Sequence, residues 1–513
     1  MALKTAKAPK LQPLAILPGK GLGPMLLGGS FRDILTYLRA QPESHYPRFK
    51  IQCDAAHPLA QPLIILLPEN GLRLRFDGAD QRLRLIEIMD FSKIPLTYKG
   101  QDLVKHQEGQ PGVGPTFKFI YGNLFGPTFE GERIPSASGS HPDVYLLSYP
   151  GVAFSFKISA QTADTDFVSI LSHPSTSAAK AMSIFNGASW DDALKDLWTR
   201  PCPHPRSLTA AHGPKSSQAD ELELAIIRGR GKIEFRRRTL KPWHLILSKT
   251  TPQDLVLDIG PPDYIYKKND HRMAIHQKEA ARKGIQDLTS SLLDTHLDTD
   301  QSSVNTTTDI SDDRDDSKAT NKTSEEEYFY NYYRHGFSIL MSQQLRNSPP
   351  LTPDQLSEED DIIRAKSPHL VATKLMLHGN IPNAHDFHRY RRIRWVLDPA
   401  VIVTLNSKAI TSETSFTTIR AKLDSIWGEL FAEADRIAGR PEKRHMVINR
   451  GWGDSPSSSI ELLGGWEDAG DDSVSVTGED KKPLVPGNTD LWAYQGLIFE
   501  VLKNDAVSVL TIF

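Results

Sequence analysis

Cysteine is almost absent from this chain: 513 residues carry only Cys53 and Cys202, with no CxxC pair. That scarcity argues against a disulfide framework and against thiolate zinc sites, and a reducing compartment fits best. No run approaches 18 continuous apolar residues, so no transmembrane helix is expected. Residues 1–10 hold three lysines, but Pro13, Pro18 and several glycines break the apolar stretch behind them, and no targeting segment results. Net charge is −3, which supplies no global field toward nucleic acid or anionic lipid. Catalytic signatures are missing as well: there is no GxSxG elbow, no HExxH, no Cys–His signature and no kinase set. Asp and Glu gather mainly in linker-like stretches, so no carboxylate pair stands out. No cofactor and no nucleic-acid partner is expected, and an interaction protein is favoured over an enzyme.

Hydrophobic residues make up 39% of the chain, somewhat low for this length, which suggests that part of it stays outside any core. What is organised alternates at period two. In Glu69 to Gly100, Leu72, Leu74 and Phe76 point one way and Arg73 and Arg75 the other. Asp77-Gly78-Ala79-Asp80 then supplies turn chemistry. The second strand, Leu83 to Met89, slips phase at Leu85-Ile86, predicting a bulge or burial on both faces. Helices are signalled after Ser30, after Thr251-Pro252, and from Thr417. The second unit shows no obvious helix. Residues 160–190 are mixed in pattern. Further strands are expected at Tyr264 to Tyr266 and Arg272 to His276.

The expected fold class is α+β, with repeated helix-plus-antiparallel-β-meander units packed into one body and interrupted by disordered insertions. The chain divides into a flexible tail at 1–14, then 15–280 with two units, the basic strands and the start of a third unit. An acidic Ser/Thr-rich insertion follows at 281–326, the third unit's strands at 327–342 and a linker at 343–367. Residues 368–449 end that unit and bring the fourth unit's helix, 450–490 form a flexible insertion, and 491–513 a C-terminal hairpin. The repeat rests on four glycines, each followed by alternating apolar residues: Gly71-Leu72-x-Leu74-x-Phe76, Gly151-Val152-x-Phe154-x-Phe156, Gly336-Phe337-x-Ile339-x-Met341 and Gly496-Leu497-x-Phe499-x-Val501. Their unequal spacing excludes a uniform solenoid.

Two basic runs are candidate lipid or partner patches: Arg228, Arg230, Lys232, Arg236, Arg237 and Arg238, then Arg389, Arg391, Arg392 and Arg394. A solvated strand face is the default reading of such a run. Arg73, Arg75, Arg82 and Arg84 form a further outer stripe that a partner could meet. Gly19, Gly21 and Gly23 lack the order of a phosphate loop. His378, His385 and His388 follow no zinc spacing, and no metal site is assigned to them.

Five segments, NGLRLRFDGADQRLRLIEIMDFSKIPLTYKG, YPGVAFSF, TPQDLVLDIGPPDYIYKKND, EYFYNYYRHGFSIL and YQGLIFEVLKNDAVSVLTIF, together resemble the eukaryotic phagosome assembly factor family. The likeness runs in order from about residue 15 to the C-terminus, as in a divergent, fungal-like member with long insertions. It implies a cytosolic regulator of autophagy with no catalytic residues, lying peripherally at preautophagosomal structures. It also implies pairing with a β-propeller protein of the breast-carcinoma-amplified-sequence type and association with phosphoinositide-bearing membrane. Two alternatives stand beside this adaptor: a direct phosphoinositide-binding trafficking protein, and a cryptic metal-dependent hydrolase.

Overall fold

The computed structural model describes residues 12–42, 44–104, 114–135, 143–158, 166–173, 176, 178–203, 220–267, 327–343, 370–398, 409–437, 446–448, 474–478 and 487–513. The insertion at 281–326 and the expected strand at Arg272 to His276 lie outside these residues, as do nearly all of the 1–14 tail and 343–367 linker and most of 450–490.

The first half opens on β1 (Leu14–Leu17), β2 (Gly21–Leu22), β3 (Met25–Leu26) and α1 (Phe31–Ala40). A meander follows: β4 (Phe49–Gln52), β5 (Leu63–Leu67), β6 (Leu72–Phe76) and β7 (Leu83–Ile88). β8 (Leu96–Tyr98) returns to lie parallel beside β1. After β9 (Gln101–Asp102) come α2 (Phe117–Phe119), continued as a π-helix over Ile120–Leu124, and β10 (Glu132–Ile134). β11 (Asp143–Tyr149), β12 (Val152–Ile158), α3 (Phe167–Ser172), β13 (Ala181–Phe185) and α4 (Trp190–Asp196) close the half.

The second half repeats this plan. β14 (Leu222–Gly229), β15 (Lys232–Arg237), β16 (Trp243–Ile246) and α5 (Pro252–Ile259) lead into the meander β17 (Tyr264–Lys267), β18 (Tyr328–Tyr332), β19 (Phe337–Gln343) and β20 (Leu370–His378). β21 (Arg394–Leu397) lies parallel to β14 as β8 lies parallel to β1. Then come β22 (Ile410–Thr411), α6 (Phe416–Ile437), β23 (Met446–Ile448), β24 (Val474–Thr477), β25 (Thr489–Tyr494), β26 (Leu497–Val501) and β27 (Val507–Ile512).

Strand order makes the duplication explicit. One large sheet runs β10-β11-β12-β13-β7-β6-β5-β4-β24, and the other β23-β25-β26-β27-β20-β19-β18-β17. In each, two meanders meet through their last strands, β13 on β7 and β27 on β20. The two small sheets, β3-β2-β1-β8-β9 and β16-β15-β14-β21-β22, also correspond. The α+β class with repeated helix-and-meander units therefore holds. The second unit does carry a helix: Thr116 caps α2, and Phe117, Ile120 and Leu124 are its buried residues. Its signal lay at spacings of three and four, too short a stretch to register as periodic.

The helices start where the caps predict. The Ser30 side chain accepts from the Asp33 amide, and Thr251 and Asp254 form a capping box with Pro252 in the first turn. The phase slip in β7 has both expected causes: a register shift opposite Arg75/Phe76, and burial of Leu83, Arg84, Leu85 and Ile86 in succession. Leu85 faces away from the main core and packs with Ala153, Phe185, Ala193 and Leu197 under α4.

All four repeated glycines sit in the hairpin turns before β6, β12, β19 and β26, with φ of +63°, +77°, +83° and +70°. Their surroundings differ. A Cβ at Gly336 would collide with the Arg391 carbonyl oxygen, whereas one at Gly496 would meet only the Phe513 oxygen at 3.3 Å. Gly496→Ala is expected to cost about 1 kcal/mol, the left-handed penalty alone. Gly336→Ala adds a backbone clash and should cost about 2 kcal/mol. Urea unfolding of the two variants gives the order, and equal costs would show that the loop bearing Arg391 yields freely.

Candidate functional site

Each half buries its own apolar cluster; among the described residues Phe387 of the second half enters the first half's core, stacked on Phe31 at 5.6 Å between ring centroids, and Leu59 of the first half packs against Ile381, Ala384, Leu502 and Ala506. The joint between the halves is otherwise largely polar. It begins with the β6–β7 turn, where the Asp77 carboxylate accepts from the amides of Asp80 and Arg82 and fixes the turn's shape. Gln81, at φ +53°, is held outward and forms a reciprocal amide pair with Asn380 of the second half: Nε2 donates to the Asn380 carbonyl at 2.7 Å, and Asn380 Nδ2 donates to Gln81 Oε1 at 2.6 Å.

Charge gathers around this pair. Glu221 faces Arg82 at 3.0 Å, Arg391 at 3.4 Å and Arg238 at 4.0 Å. Glu413 faces Arg394 at 2.8 Å and Arg392 at 3.4 Å, and Arg394 reaches on to Asp80 at 2.9 Å. Arg392 also donates to the Ala79 and Gly379 carbonyls at 2.5 and 2.7 Å. Burial alone would raise both glutamates, but the guanidinium groups outweigh it and hold each carboxyl down at about 2. Burial, reinforced by Arg82, pushes Arg391 down to about 10.

The structure thus divides the basic candidates. Arg391 and Arg392, each 5% exposed, lie inside the joint and are not part of a surface patch. The same correction applies to Arg82 and Arg84, 6% and 8% exposed, with Arg84 on Asp77 at 2.7 Å. Alternation predicts an outward face for these two, but the second half and the 200–203 segment cover that face. Arg73 and Arg75 do face outward, both paired with Glu87. Arg394 is shared between Asp80 and Glu413, and Arg389 donates to the Tyr333 hydroxyl with its guanidinium over that ring.

In the other run Arg228 bonds Glu234 and Asp398, Arg236 approaches Glu234 at 3.8 Å, and Arg237 donates to the Asp258 carbonyl. Arg238 turns inward to Glu223, Glu221 and the Cys202 carbonyl. Arg230, at φ +50°, and Lys232 stand exposed at the tip of the β14–β15 hairpin. Gly19, Gly21 and Gly23 line tight turns, with Gly19 donating to the Gly151 carbonyl at 3.1 Å.

The histidines separate as well. His378 Nδ1 meets Asp386 Oδ2 at 2.5 Å, and its Nε2 lies 3.2 Å from Ser338 Oγ. That is the order of a hydrolase triad, and no motif announced it, because Ser338, His378 and Asp386 meet only through the fold. The triad is closed, however. Ser338 and His378 are 3% and 5% exposed, Ser338 Oγ donates to Tyr390 Oη at 2.9 Å, and the Tyr390 ring stacks on the imidazole at 3.6 Å. A nucleophile needs an adjacent space for a reacting carbonyl; here a phenol fills it. The network instead fastens the 379–393 loop to β19 and β20. His388 contacts Arg39 of α1 at 3.4 Å. Among the described residues no group of three or more His, Cys, Asp or Glu side chains could hold a metal ion, and no helix is long and apolar enough to cross a membrane.

Comparison with known proteins bears on both halves. A family model described as Phagosome assembly factor 1 matches residues 21–291 and 361–513. A PHAF1 protein of Arabidopsis thaliana is 24% identical over 506 residues, covering 97% of this chain and 92% of the relative. A PHAF1 protein of Drosophila melanogaster is 20% identical over 470 residues, 89% and 83% of the two chains. A third, from Caenorhabditis elegans, is 22% identical over 264 residues, 49% of this chain and 60% of its own. No solved structure matches.

Proposed function

The chain belongs to the Phagosome assembly factor 1 family, and from that membership we propose that it is a non-enzymatic regulator of autophagy, an adaptor that pairs with a β-propeller protein of the breast-carcinoma-amplified-sequence type at the forming autophagosome. The observation that carries this reading is the family match itself, which spans both halves of the duplicated body rather than one of them. The geometry supports it in two ways. The buried Ser338–His378–Asp386 set is filled by Tyr390 instead of standing over a cleft. The joint's charges are spent on internal pairs, which suits a rigid scaffold whose work is done by its outer surfaces.

Phosphoinositide contact is the second reading, and the exposed hairpin tip favours it. Arg230 and Lys232 extend beyond the paired Arg228 and Glu234, where a headgroup phosphate could be met without breaking an internal bond. Purified full-length chain is expected to capture the propeller in a pull-down and to sediment with phosphoinositide-containing vesicles. Arg230→Glu with Lys232→Glu should abolish the sedimentation and leave the thermal midpoint and the pull-down unchanged. Sedimentation that survives the double variant removes the hairpin tip from the membrane contact, and failure to capture the propeller removes the adaptor reading.

A further inference from the structure

Among the described residues the most exposed large apolar side chain is Phe129, at 93%, in the loop between α2 and β10. A lone exposed apolar group is ordinary on a protein surface, but the loop that carries this one is fastened on both sides of it. Before Phe129, the Tyr149 hydroxyl donates to the Gly126 carbonyl and the Thr128 hydroxyl to the Ser148 carbonyl, each at 2.9 Å. After it, the Gly131 amide donates to the Tyr145 hydroxyl at 2.9 Å. Gly131 lies so close to β11 that a Cβ there would collide with the Leu146 carbonyl oxygen, and from Glu132 onward β10 pairs with β11. The posts are themselves buried, since Tyr145 and Tyr149 are 3% and 5% exposed. Phe125, four residues earlier, turns inward and stacks on Tyr98 at 4.3 Å between ring centroids. One short loop therefore buries one aromatic and holds another out in a fixed place.

The charge beside Phe129 is of one sign. Glu130 and Glu132 are exposed, and neither forms an ion pair among the described residues, whereas Arg133 is neutralised by Asp143 at 2.7 Å. An aromatic that enters a bilayer is normally flanked by Lys or Arg, which an anionic headgroup layer attracts. Two carboxylates are repelled by that layer, so a membrane is the poorer fit. A protein surface with positive groups around an apolar hollow is the complementary one.

We propose that Phe129 is the anchor by which this chain docks a partner protein whose matching surface is an apolar socket rimmed by Lys or Arg. The ring fills the socket while Glu130 and Glu132 meet the rim. Little order is lost on docking, because the loop is already held and a phenylalanine has few torsions to fix. A buried aromatic at the centre of an interface is also where binding energy concentrates. The inference deepens the adaptor reading and rests on it: the partner to be probed is the β-propeller, a fold whose blades surround a central channel and so offer a concave mouth. The anchor lies in the first half and the Arg230–Lys232 hairpin tip in the second, so the two contacts are separable by mutation.

The test is titration calorimetry of purified full-length chain with the purified β-propeller protein. Phe129→Ser should weaken binding about 30-fold, the loss of one hot-spot aromatic. It should leave the thermal midpoint unchanged, because the ring stands almost wholly in solvent. Glu130→Lys with Glu132→Lys should weaken binding about tenfold at low salt and much less at high salt. A photoreactive benzoyl-phenylalanine placed at 129 should crosslink to propeller residues that line an apolar hollow with Lys or Arg at its rim. Equal affinity of the wild type and Phe129→Ser overturns the anchor and leaves the adaptor reading standing. No binding by the wild type removes both. Vesicle sedimentation, or a dimer seen by light scattering, that disappears in Phe129→Ser would give the ring to a membrane or to a second copy, and either result overturns the proposal.

Discussion

Glu221→Ala is expected to destabilise the protein by about 3–5 kcal/mol, measured by urea unfolding at neutral pH. The size follows from what remains after the carboxylate is gone. Arg82 and Arg391 are 6% and 5% exposed and both use Glu221 as counter-charge, so truncation leaves two guanidinium groups facing each other out of water. Their hydrogen bonds to the Gly28 and Leu222 carbonyls survive but carry no negative charge. Glu221→Gln keeps the shape and removes the charge, and should recover only a minor part of the loss. Adding Arg391→Met to Glu221→Ala should recover more, because the pair of variants then leaves one buried cation instead of two. A cost near 1 kcal/mol for Glu221→Ala would mean that water reaches these arginines and that the joint is not sealed.

The elements of this fold were legible because each is written locally. Period-two alternation marks β6 and β12, Thr251-Pro252 with Asp254 marks α5, and the four positive-φ glycines mark the hairpins of the duplicated meanders. The joint was not legible, for a physical reason. Arg391 and Arg392 read as a solvated run because a basic run normally is one, and nothing local to RYRRIR says that Glu221, Glu413 and Asp80 will meet it. Asp80 and Glu221 lie far away in sequence, Glu413 lies 19 residues beyond Arg394, and all three look like surface residues. Ser338 was hidden by the same logic: it sits out of phase with Phe337 and Ile339, so alternation sends it to solvent, and the 379–393 loop reaches it through Tyr390. β24 falls in a Gly-, Ser- and Asp-rich stretch whose composition outweighs the brief alternation of Val474-Ser475-Val476-Thr477, yet it pairs with β4 at the end of the first sheet.

Mild acid should loosen the protein well before its carboxylates titrate, and His335 is the reason. It is 4% exposed, neither ring nitrogen has a hydrogen-bond partner among the described residues, and it lies beside Arg391 and Arg334. Burial first, then those two cations, push its pKa down to about 4 from the 6.5 of a free histidine. Because the folded state resists the proton, the unfolded state binds more of it between these values. Stability is therefore full above about pH 6.5, falls as the pH drops below it, and levels off near pH 4. At pH 5 the linkage amounts to about 2 kcal/mol from this one side chain. His388, partly buried against Arg39 and also lowered to about 4, acts in the same window with a smaller share. Glu221 and Glu413 add a later fall, since carboxyls held at about 2 stabilise the fold above 4.5 and lose that contribution as the pH drops toward 2. His335→Phe separates the two windows. It forfeits no hydrogen bond, keeps an aromatic beside Tyr332 and Phe337, and removes the proton site. The variant should lose most of the drop between pH 7 and pH 5 in urea midpoints and keep the drop below 4.5, whereas an unchanged profile would assign the mild-acid loss to another group.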